Sequence, residues 1–306
     1  MKKKIYTAAT VVLSALALFL SSCLKDDRFV DFSKAGTIVE FPLGGVVNFG
    51  ADAITETPDS TPNGAITRRF SVNVASAHAP SKETKITFAV DNSLIAAYNA
   101  ANPLVTYLPM PTDAYVFDTT SVTIPGGQHF GFSSVTFFKN KLDPALSYML
   151  PVKISDASGL NISGNKGVHY YHFIGNDFAG AYLWDYTRTP PNGNFVGANT
   201  TLSPVTPNQF ETNSGYYTGT IRYEVTFSKE GSGANARYYN FQVAFNQDDV
   251  ENILTANDIS VTAQPVINVA GYDENKRYTY AEALQLFEFK YSVLGTSGAR
   301  TVVDRY

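Results

Sequence analysis

Ile221-Arg222-Tyr223-Glu224-Val225-Thr226-Phe227 decides the fold class, because apolar and polar side chains alternate along the whole stretch. Alternation with a period of two places one set of side chains on each face of a β-strand. The aromatic and aliphatic set is expected to be buried, and the charged and hydroxyl set to face water. The same pattern recurs along the chain between clusters of Gly, Pro, Asn and Asp, which predicts an all-β protein.

Further alternating segments precede this stretch, at 70–74, 86–90 and 148–154. One short helix is predicted over 92–99, capped by Asp91 or Asn92. Strands of this spacing with a single small helix predict an immunoglobulin-like β-sandwich. Pro151 cannot donate a hydrogen bond to a neighbouring strand, so 148–154 is predicted to be an edge strand or to start at a bulge.

The segments that follow are more aromatic and more clearly one-sided, as at 239–245 and 287–291. Strands with one apolar face are typical of antiparallel sheets that expose their other face to solvent, or of a small barrel. The break between the halves falls at Gly175-Asn176-Asp177. The chain is therefore predicted to hold an immunoglobulin-like domain at 31–175 and a second antiparallel β domain, sandwich or small barrel, at 176–306.

Composition excludes several classes of protein. The 306 residues include 23 Lys and Arg against 27 Asp and Glu, and 13% are aromatic. The aromatic content argues against disorder, and the acidic balance argues against nucleic-acid binding, which needs a basic surface. A single cysteine cannot build a disulfide framework or a thiolate zinc cluster. No cofactor and no metal is predicted.

The N-terminus has the pattern of an export signal. Lys2, Lys3 and Lys4 precede an apolar run at 8–20, which ends in Leu20-Ser21-Ser22-Cys23. This run is short for a membrane span, and its end resembles the bacterial lipobox. We therefore predict a signal peptide at 1–22, acylation of Cys23, with palmitate expected, and a tether at 23–30. A buried cysteine is the alternative.

Cleavage after residue 22 would leave 20 basic and 27 acidic side chains. An acidic body is not held by anionic lipid surfaces, so the acyl chains on Cys23 must provide the anchor. Leu24-Lys25-Asp26-Asp27 resembles the surface-export signal of Bacteroidota lipoproteins, with an ordinary solvated tether as the alternative. The predicted location is the outer membrane, lipid-anchored and facing the exterior.

A spaced string of aromatic and Leu-Pro signatures runs through the first half: Tyr98-Asn99, Tyr107-Leu108-Pro109, 122–127 and 148–154. This string resembles the N-terminal domain of unknown function found in Bacteroidota surface lipoproteins and ahead of chitinase-like endo-β-N-acetylglucosaminidase barrels. The second half looks like the C-terminal partner domain of the same lipoproteins. The resemblance implies an immunoglobulin-like first domain and an association with glycan-utilisation loci, and it transfers no catalytic residues.

Catalytic patterns are weak in this sequence. A glycosidase needs two carboxylates around the scissile bond. The closest acidic cluster, Asp248-Asp249-Val250-Glu251, is better explained as the start of a short helix. His169 and His172 lie in a predicted strand, where residues three apart point to opposite faces and cannot share one metal ion. The chain is predicted not to be an enzyme.

The candidate ligand-binding residues are Tyr182, Trp184, Tyr186 and Arg188, which alternate along one predicted strand. Sugar rings present apolar C–H faces that can lie flat on aromatic rings. Burial of these aromatics in the β core is the alternative. Tyr216, Tyr217 and Tyr238 are further candidates of the same kind.

These observations predict a non-catalytic outer-membrane surface lipoprotein. It would bind or present an oligosaccharide or polysaccharide for a neighbouring outer-membrane glycan-uptake complex. The alternative is a structural or adhesive cell-surface protein that makes protein–protein contacts.

Overall fold

A computed structural model describes residues 36–42, 65–190, 193–216 and 220–306. The predicted signal peptide, Cys23 and the tether lie outside these ranges. Among the described residues, no helix combines the length and apolar character that crossing a membrane requires.

The first part of the chain forms a β-sandwich. Its elements are β1 (Ile38–Glu40), β2 (Ala65–Ala75), β3 (Thr84–Val90), α1 (Leu94–Ala101), β4 (Tyr107–Pro109), β5 (Tyr115–Phe117), β6 (Ser121–Ile124), β7 (Phe130–Phe138), a 3₁₀ turn (Lys139–Lys141), β8 (Ser147–Asp156), β9 (Asn161–Ile162) and β10 (Val168–Phe173). One sheet has the order β5-β7-β2-β1-β9, and the other β10-β8-β3-β6 with β4 beside β8.

The alternating residues of the sandwich strands meet between its two sheets. Phe70 from β2 contacts Phe88 from β3 with ring centroids 5.2 Å apart. Phe137 from β7 contacts Tyr171 from β10 at 5.4 Å. All four belong to one buried cluster. The period of two therefore predicted the buried face correctly, and the immunoglobulin-like sandwich with one short helix is confirmed.

The position of Pro151 corrects one prediction. β8 is not an edge strand, because it lies between β10 and β3. Pro151 pairs with Tyr170 on the β10 side, and its carbonyl accepts a hydrogen bond from the Asp91 N–H at 3.0 Å on the other. On this second side, β3 ends at Val90, which pairs with Val152, and the β4 pairing covers only Ser147 to Met149. The missing N–H of Pro151 thus falls where no strand continues beside β8.

The second part of the chain forms one antiparallel sheet. Its elements are β11 (Gly180–Thr189), β12 (Gly193–Thr206), β13 (Gln209–Asn213), β14 (Arg222–Glu230), a 3₁₀ turn (Gly233–Asn235), β15 (Arg237–Phe245), α2 (Gln247–Asp249), a π turn (Val250–Leu254), a 3₁₀ turn (Thr255–Asn257), β16 (Ser260–Ile267), α3 (Tyr280–Leu284), β17 (Glu288–Gly295) and β18 (Gly298–Arg305). The strand order is β15-β14-β13-β12-β11-β18-β17-β16.

This sheet curls into a half-barrel. β14 and β17 are five strand positions apart, which in a flat sheet would separate them by about 24 Å. Nevertheless, the ring of Tyr223 on β14 lies 5.2 Å from that of Phe289 and 5.9 Å from that of Tyr291, both on β17. The inner faces of the two strands therefore meet, and the second antiparallel β domain is confirmed as a small, barrel-like unit.

Candidate ligand-binding site

The aromatic strip predicted on β11 does not form an exposed platform. Trp184 is only 7% exposed, and its indole N–H donates to Asp304 Oδ1 at 2.9 Å. Tyr182 is half-buried against the half-barrel core, and its hydroxyl donates to the Phe178 carbonyl at 3.0 Å. The side chain on the opposite face, Leu183, is 67% exposed. The platform prediction is therefore wrong for Trp184 and Tyr182, and Tyr186 on the same face is also only 7% exposed, because the aromatic face of β11 is the inner face.

Asp304 is the centre of a buried polar cluster inside the half-barrel. Its Oδ1 accepts from Trp184 and from the backbone N–H of Gly215 at 2.9 Å. Its Oδ2 accepts from Ser214 Oγ at 2.8 Å and from the Tyr223 hydroxyl at 2.6 Å. Burial raises the pKa of Asp304, although all four of these hydrogen bonds act to lower it. The carboxylate thus ties β18 to β11, to β14 and to the turn at 214–215.

The other two predicted residues, Tyr186 and Arg188, line a cavity of about 550 Å³. They come from the end of β11, where the antiparallel topology also brings together the start of β12, the turn at 214–216, the segment before β16 and the hairpin between β17 and β18. The cavity therefore lies at one end of the half-barrel. Such mouths are frequent ligand sites.

Aromatic rings form one wall of this cavity. Phe195 is half-buried and stacks on Tyr186 with ring centroids 5.1 Å apart, and it meets Trp184 edge-on at 4.7 Å. Tyr216 lines the same cavity and is 6% exposed. Phe195 is therefore held in place by two buried rings while part of it remains accessible.

Polar side chains form the rest of the lining. Arg188 and Arg300 bring two guanidinium groups, and Asn257, Thr296 and Ser297 bring an amide and two hydroxyls. The described lining residues include no Asp and no Glu. The cavity can thus donate several hydrogen bonds and carries positive charge.

Gly215 allows the turn at 214–216 to approach β11. A Cβ at this position would lie 2.2 Å from Cδ2 of Tyr186, closer than any real contact. Only glycine fits there without movement of the Tyr186 ring. Because the Gly215 N–H also donates to Asp304, the buried cluster and the cavity wall share this turn.

Sequence reasoning found part of this site. Tyr216 was among the further candidates and lines the cavity, whereas Tyr238 is buried in the half-barrel core. Phe195 and Arg300 were missed. Arg300 is adjacent to Arg188 only through the β11–β18 pairing, which joins the first and last strands of the half-barrel. No local pattern signals such a long-range pairing.

The two patterns judged structural have structural partners. Asp249 forms a two-pronged contact with Arg222, with Nε to Oδ2 at 2.9 Å and Nη2 to Oδ1 at 3.1 Å. His172 Nδ1 lies 2.6 Å from the Tyr107 hydroxyl, while the ring of His169 packs on Tyr171. The two imidazoles have different surroundings, as expected for opposite faces of a strand. In the described part of the chain, no cluster of three or more potential metal ligands occurs.

Comparison with known proteins gives one family match. A family model described as a "-like, N-terminal domain" matches residues 47–161, which is less than half of the chain. No curated protein sequence matches.

Several solved structures match this chain at low sequence identity and low TM-score. A multidomain protein including DUF1735 from Bacteroides ovatus is 16% identical, with 88% of this chain and 93% of that one covered and a TM-score of 0.36. An auxiliary nutrient binding protein from Bacteroides thetaiotaomicron is 14% identical, with coverage of 84% and 86% and a TM-score of 0.34.

EndoBT-3987 from Bacteroides thetaiotaomicron, solved with a Man5GlcNAc product, is 21% identical over 35% of this chain and 26% of its own, with a TM-score of 0.31. Identities this low carry no information about ligands. The family match confirms the resemblance that the sequence predicted: over residues 47–161 the chain is similar to an N-terminal domain of this kind.

Proposed function

We propose that this chain is a non-catalytic surface lipoprotein that binds glycans in the cavity at the end of the half-barrel. The observation that carries the proposal is the convergence of a partly accessible aromatic ring, Phe195, with hydrogen-bonding side chains in one concave site. Carbohydrate recognition uses this combination, because sugars present apolar C–H faces beside hydroxyl groups. The volume of about 550 Å³ is in the range of small-ligand pockets.

The lining chemistry supports binding without hydrolysis. Glycoside hydrolysis needs one carboxyl group as an acid and a second as a base or nucleophile. The described residues that line the cavity offer neither. The nearby Asp304 is fully buried, and both of its oxygens already accept two hydrogen bonds.

Affinity electrophoresis through gels that contain plant or host polysaccharides tests the binding proposal. We expect at least one glycan to retard the protein and Phe195→Ala to abolish the retardation. Phe132→Ala is the matched control, because Phe132 is an aromatic residue that is 50% exposed and lies on the sandwich. Thermal unfolding of both variants separates loss of binding from loss of fold. Unchanged retardation of Phe195→Ala would remove the cavity as the site.

The proposed anchor is tested separately. In cells supplied with labelled palmitate, we expect label on the wild-type chain and none on Cys23→Ser. Protease added to intact cells should degrade the wild-type protein if it faces the exterior. Protection from protease would overturn the outward orientation while leaving the anchor in place.

One observation favours a protein-binding surface as a second candidate. Phe130 and Phe132 are each 50% exposed and lie on the same face of β7. Exposed aromatics of this kind occur in protein interfaces. Arg69 already covers part of the Phe132 ring at 4.0 Å, so the apolar area is small. Pull-down with Phe130→Ser and Phe132→Ser variants distinguishes adhesion from glycan binding, which these changes should not affect.

A further inference from the structure

We propose that Tyr280 forms a second, auxiliary saccharide site at the end of the half-barrel opposite the cavity. This inference rests on the proposed glycan-binding function and adds a surface that contacts the polysaccharide outside the cavity. It is carried by the placement of the Tyr280 ring, which stacks on the fully buried ring of Phe178 and yet is 45% exposed. We call these two stacked rings the Tyr280 platform.

The strand directions place the platform far from the cavity. The cavity is lined from the ends of β11 and β17, for instance by Tyr186. Phe178 comes just before β11 begins, and α3, whose first residue is Tyr280, comes just before β17 begins. Gly180 and Tyr186 lie six residues apart along β11, which is about 20 Å of extended chain. The platform and the cavity are therefore at opposite ends of the half-barrel, and a disaccharide is too short to reach both.

Phe178 supports the Tyr280 ring from the inside. The two rings are nearly parallel, with an interplanar angle of 7° and centroids 5.5 Å apart. Phe178 is in turn held edge-on by Tyr238 at 4.8 Å and by Phe287 at 5.2 Å. Because Phe178 belongs to the buried core, the face of Tyr280 that turns away from it is the one open to solvent. A flat aromatic face is thus presented on a fixed base.

Capping contacts fix the backbone that carries Tyr280. Thr279 Oγ1 accepts from the Glu282 N–H at 3.3 Å, and the Glu282 carboxylate accepts from the Thr279 N–H at 2.8 Å. This reciprocal pair is a capping box, which holds the first turn of α3. Lys276 also pairs with Glu282, at 3.1 Å. The ring therefore needs little ordering when a ligand binds, which lowers the entropic cost of binding.

Hydrogen-bonding groups lie beside the platform. The Asp177 carboxylate pairs with Lys229 Nζ at 2.6 Å, and neither side chain is fully buried. Burial raises the pKa of Tyr280, a hydrogen bond with Tyr182 opposes this rise, and the charge of Asp177 adds to it. Asp177 is therefore close enough to act on the ring. A carboxylate has about four acceptor sites, so it can accept from sugar hydroxyls while it is paired with Lys229.

This combination fits a sugar better than a protein partner. A sugar can lay a C–H face on the ring and direct its hydroxyls to the flanking charged groups. A standard protein interface instead buries about 800 Å² on each partner around an apolar centre. Among residues 268–293, all of which the structure describes, Tyr280 is the only large apolar side chain that is strongly exposed. One ring surrounded by polar groups suits one sugar unit.

The platform adds to binding at the cavity and does not replace it. A single ring outside a cavity covers only one face of one sugar, so its affinity alone is low. Phe195→Ala is therefore still expected to abolish retardation by a polysaccharide. The two sites act together only on a chain long enough to contact both, where the second contact raises the overall affinity.

Hydroxyl-radical footprinting of the full chain in detergent, read by mass spectrometry, tests the inference. The probes are xylan, pullulan, mannan and chondroitin sulfate, each added in soluble form. We expect the polysaccharide that slows oxidation of Phe195 to slow oxidation of Tyr280 as well. Phe132 is the internal control, because it is 50% exposed and lies on the sandwich, and its oxidation should not change.

Variants measure the contribution of the ring. Tyr280→Ala should weaken polysaccharide retardation roughly threefold to tenfold, the range that one aromatic contact supplies. Tyr280→Phe keeps the ring and should bind like the wild type. In calorimetric titration with the matching disaccharide, Tyr280→Ala and the wild type should have equal affinity, because the disaccharide fills only the cavity. Unfolding curves establish that each variant is folded.

The outcomes separate the two proposals. Protection of Phe195 without protection of Tyr280 would overturn the platform while glycan binding in the cavity stands. Equal loss of retardation in Tyr280→Phe and Tyr280→Ala, or loss of disaccharide affinity in Tyr280→Ala, would also overturn it. Protection of Tyr280 alone would overturn the cavity as the site while the platform stands. If no probe slows oxidation of either ring, both proposals are overturned.

Discussion

The sandwich and the half-barrel bury polar groups in different ways. In the sandwich, the His172 imidazole meets a single side-chain partner, the hydroxyl of Tyr107 at 2.6 Å, at the margin of the main core. In the half-barrel, the Asp304 carboxylate lies fully buried in the middle and accepts four hydrogen bonds.

The difference follows from how each unit closes. Two separate sheets can fill the space between them with apolar side chains from both inner faces. A single sheet that curls on itself needs its far strands to be held together, and Asp304 links β18 to β14 through the Tyr223 hydroxyl. The comparison indicates that the polar centre is dispensable in the sandwich and structural in the half-barrel.

Replacement of Asp304 should give the largest effect. Asp304→Ala leaves four donors without their acceptor, and each buried unsatisfied group costs about 1–3 kcal/mol. We expect the free energy of unfolding of the half-barrel to fall by at least about 3 kcal/mol. Urea unfolding followed by Trp184 fluorescence measures it, since Trp184 is the only tryptophan and lies in this unit. Asp113→Ala, at an exposed ion pair of the sandwich, is the control and should change little.

Acid should weaken the sandwich first. Burial lowers the pKa of His172 from 6.5 to about 4. The unfolded chain then binds the proton more readily, so stability is lost as the pH falls from about 6.5 towards 4, by up to about 3 kcal/mol. The pKa of Asp304 is raised by burial, so the folded half-barrel binds a proton at a pH where the unfolded chain does not. Its contribution therefore has the opposite sign, and stability rises as the pH falls through that raised pKa.

Hydrogen exchange at β10 and Trp184 fluorescence, compared between pH 7 and pH 5, report the two units separately. His172→Gln removes the titrating imidazole. Hydrogen exchange at β10 should then change little between pH 7 and pH 5. If the fluorescence of folded Trp184 is lost at a higher pH than the one at which hydrogen exchange at β10 increases, the half-barrel weakens first and the prediction is wrong.

Gly215→Ala should damage the half-barrel at the turn shared by the polar cluster and the cavity. The new methyl group overlaps the Tyr186 ring, and overpacking of this kind costs about 1–3 kcal/mol. We also expect loss of glycan retardation. Gly295→Ala is the matched control within the same cavity, because its Cβ would meet only Ile259 Cγ1, at 3.4 Å. Equal effects of the two substitutions would show that the close approach at Gly215 is unimportant.

Tyr107→Phe should give the smallest effect. It removes one hydrogen bond, to His172, from the sandwich, at a cost of about 1 kcal/mol. Tyr170→Phe, a half-buried tyrosine of the same small cluster, is the control in a denaturant titration. If Tyr107→Phe lowers the free energy of unfolding as much as Asp304→Ala does, the buried polar group of the sandwich is as important as that of the half-barrel, and the proposed difference between the two units is wrong.

The period-two pattern predicted most strands correctly, including 221–227 and 287–291. Burial of one face of a sheet requires apolar residues at alternate positions, so the sequence shows it directly. In β15 the same pattern predicts the wrong set of buried residues. The alternation places Tyr239 on the inner face, but Tyr239 is half-buried and Tyr238 is 3% exposed. The register shifts between Thr226 and Ser228 of β14, and Asn240 has a φ of 53°, so the phase changes within the strand.

The sequence by itself determined the all-β class, the short helix and the two sets of side chains on β11. It could not determine which set faces the interior, because both faces of that strand carry apolar residues, with Trp184 on one and Leu183 on the other. Only the tertiary structure decided that, by pairing β11 with β18 and placing Asp304 where the indole N–H needs an acceptor. The same pairing brought Arg300 to Arg188. Contacts between residues so distant in the chain arise from closure of the sheet, and the local alternation of apolar and polar residues cannot predict them.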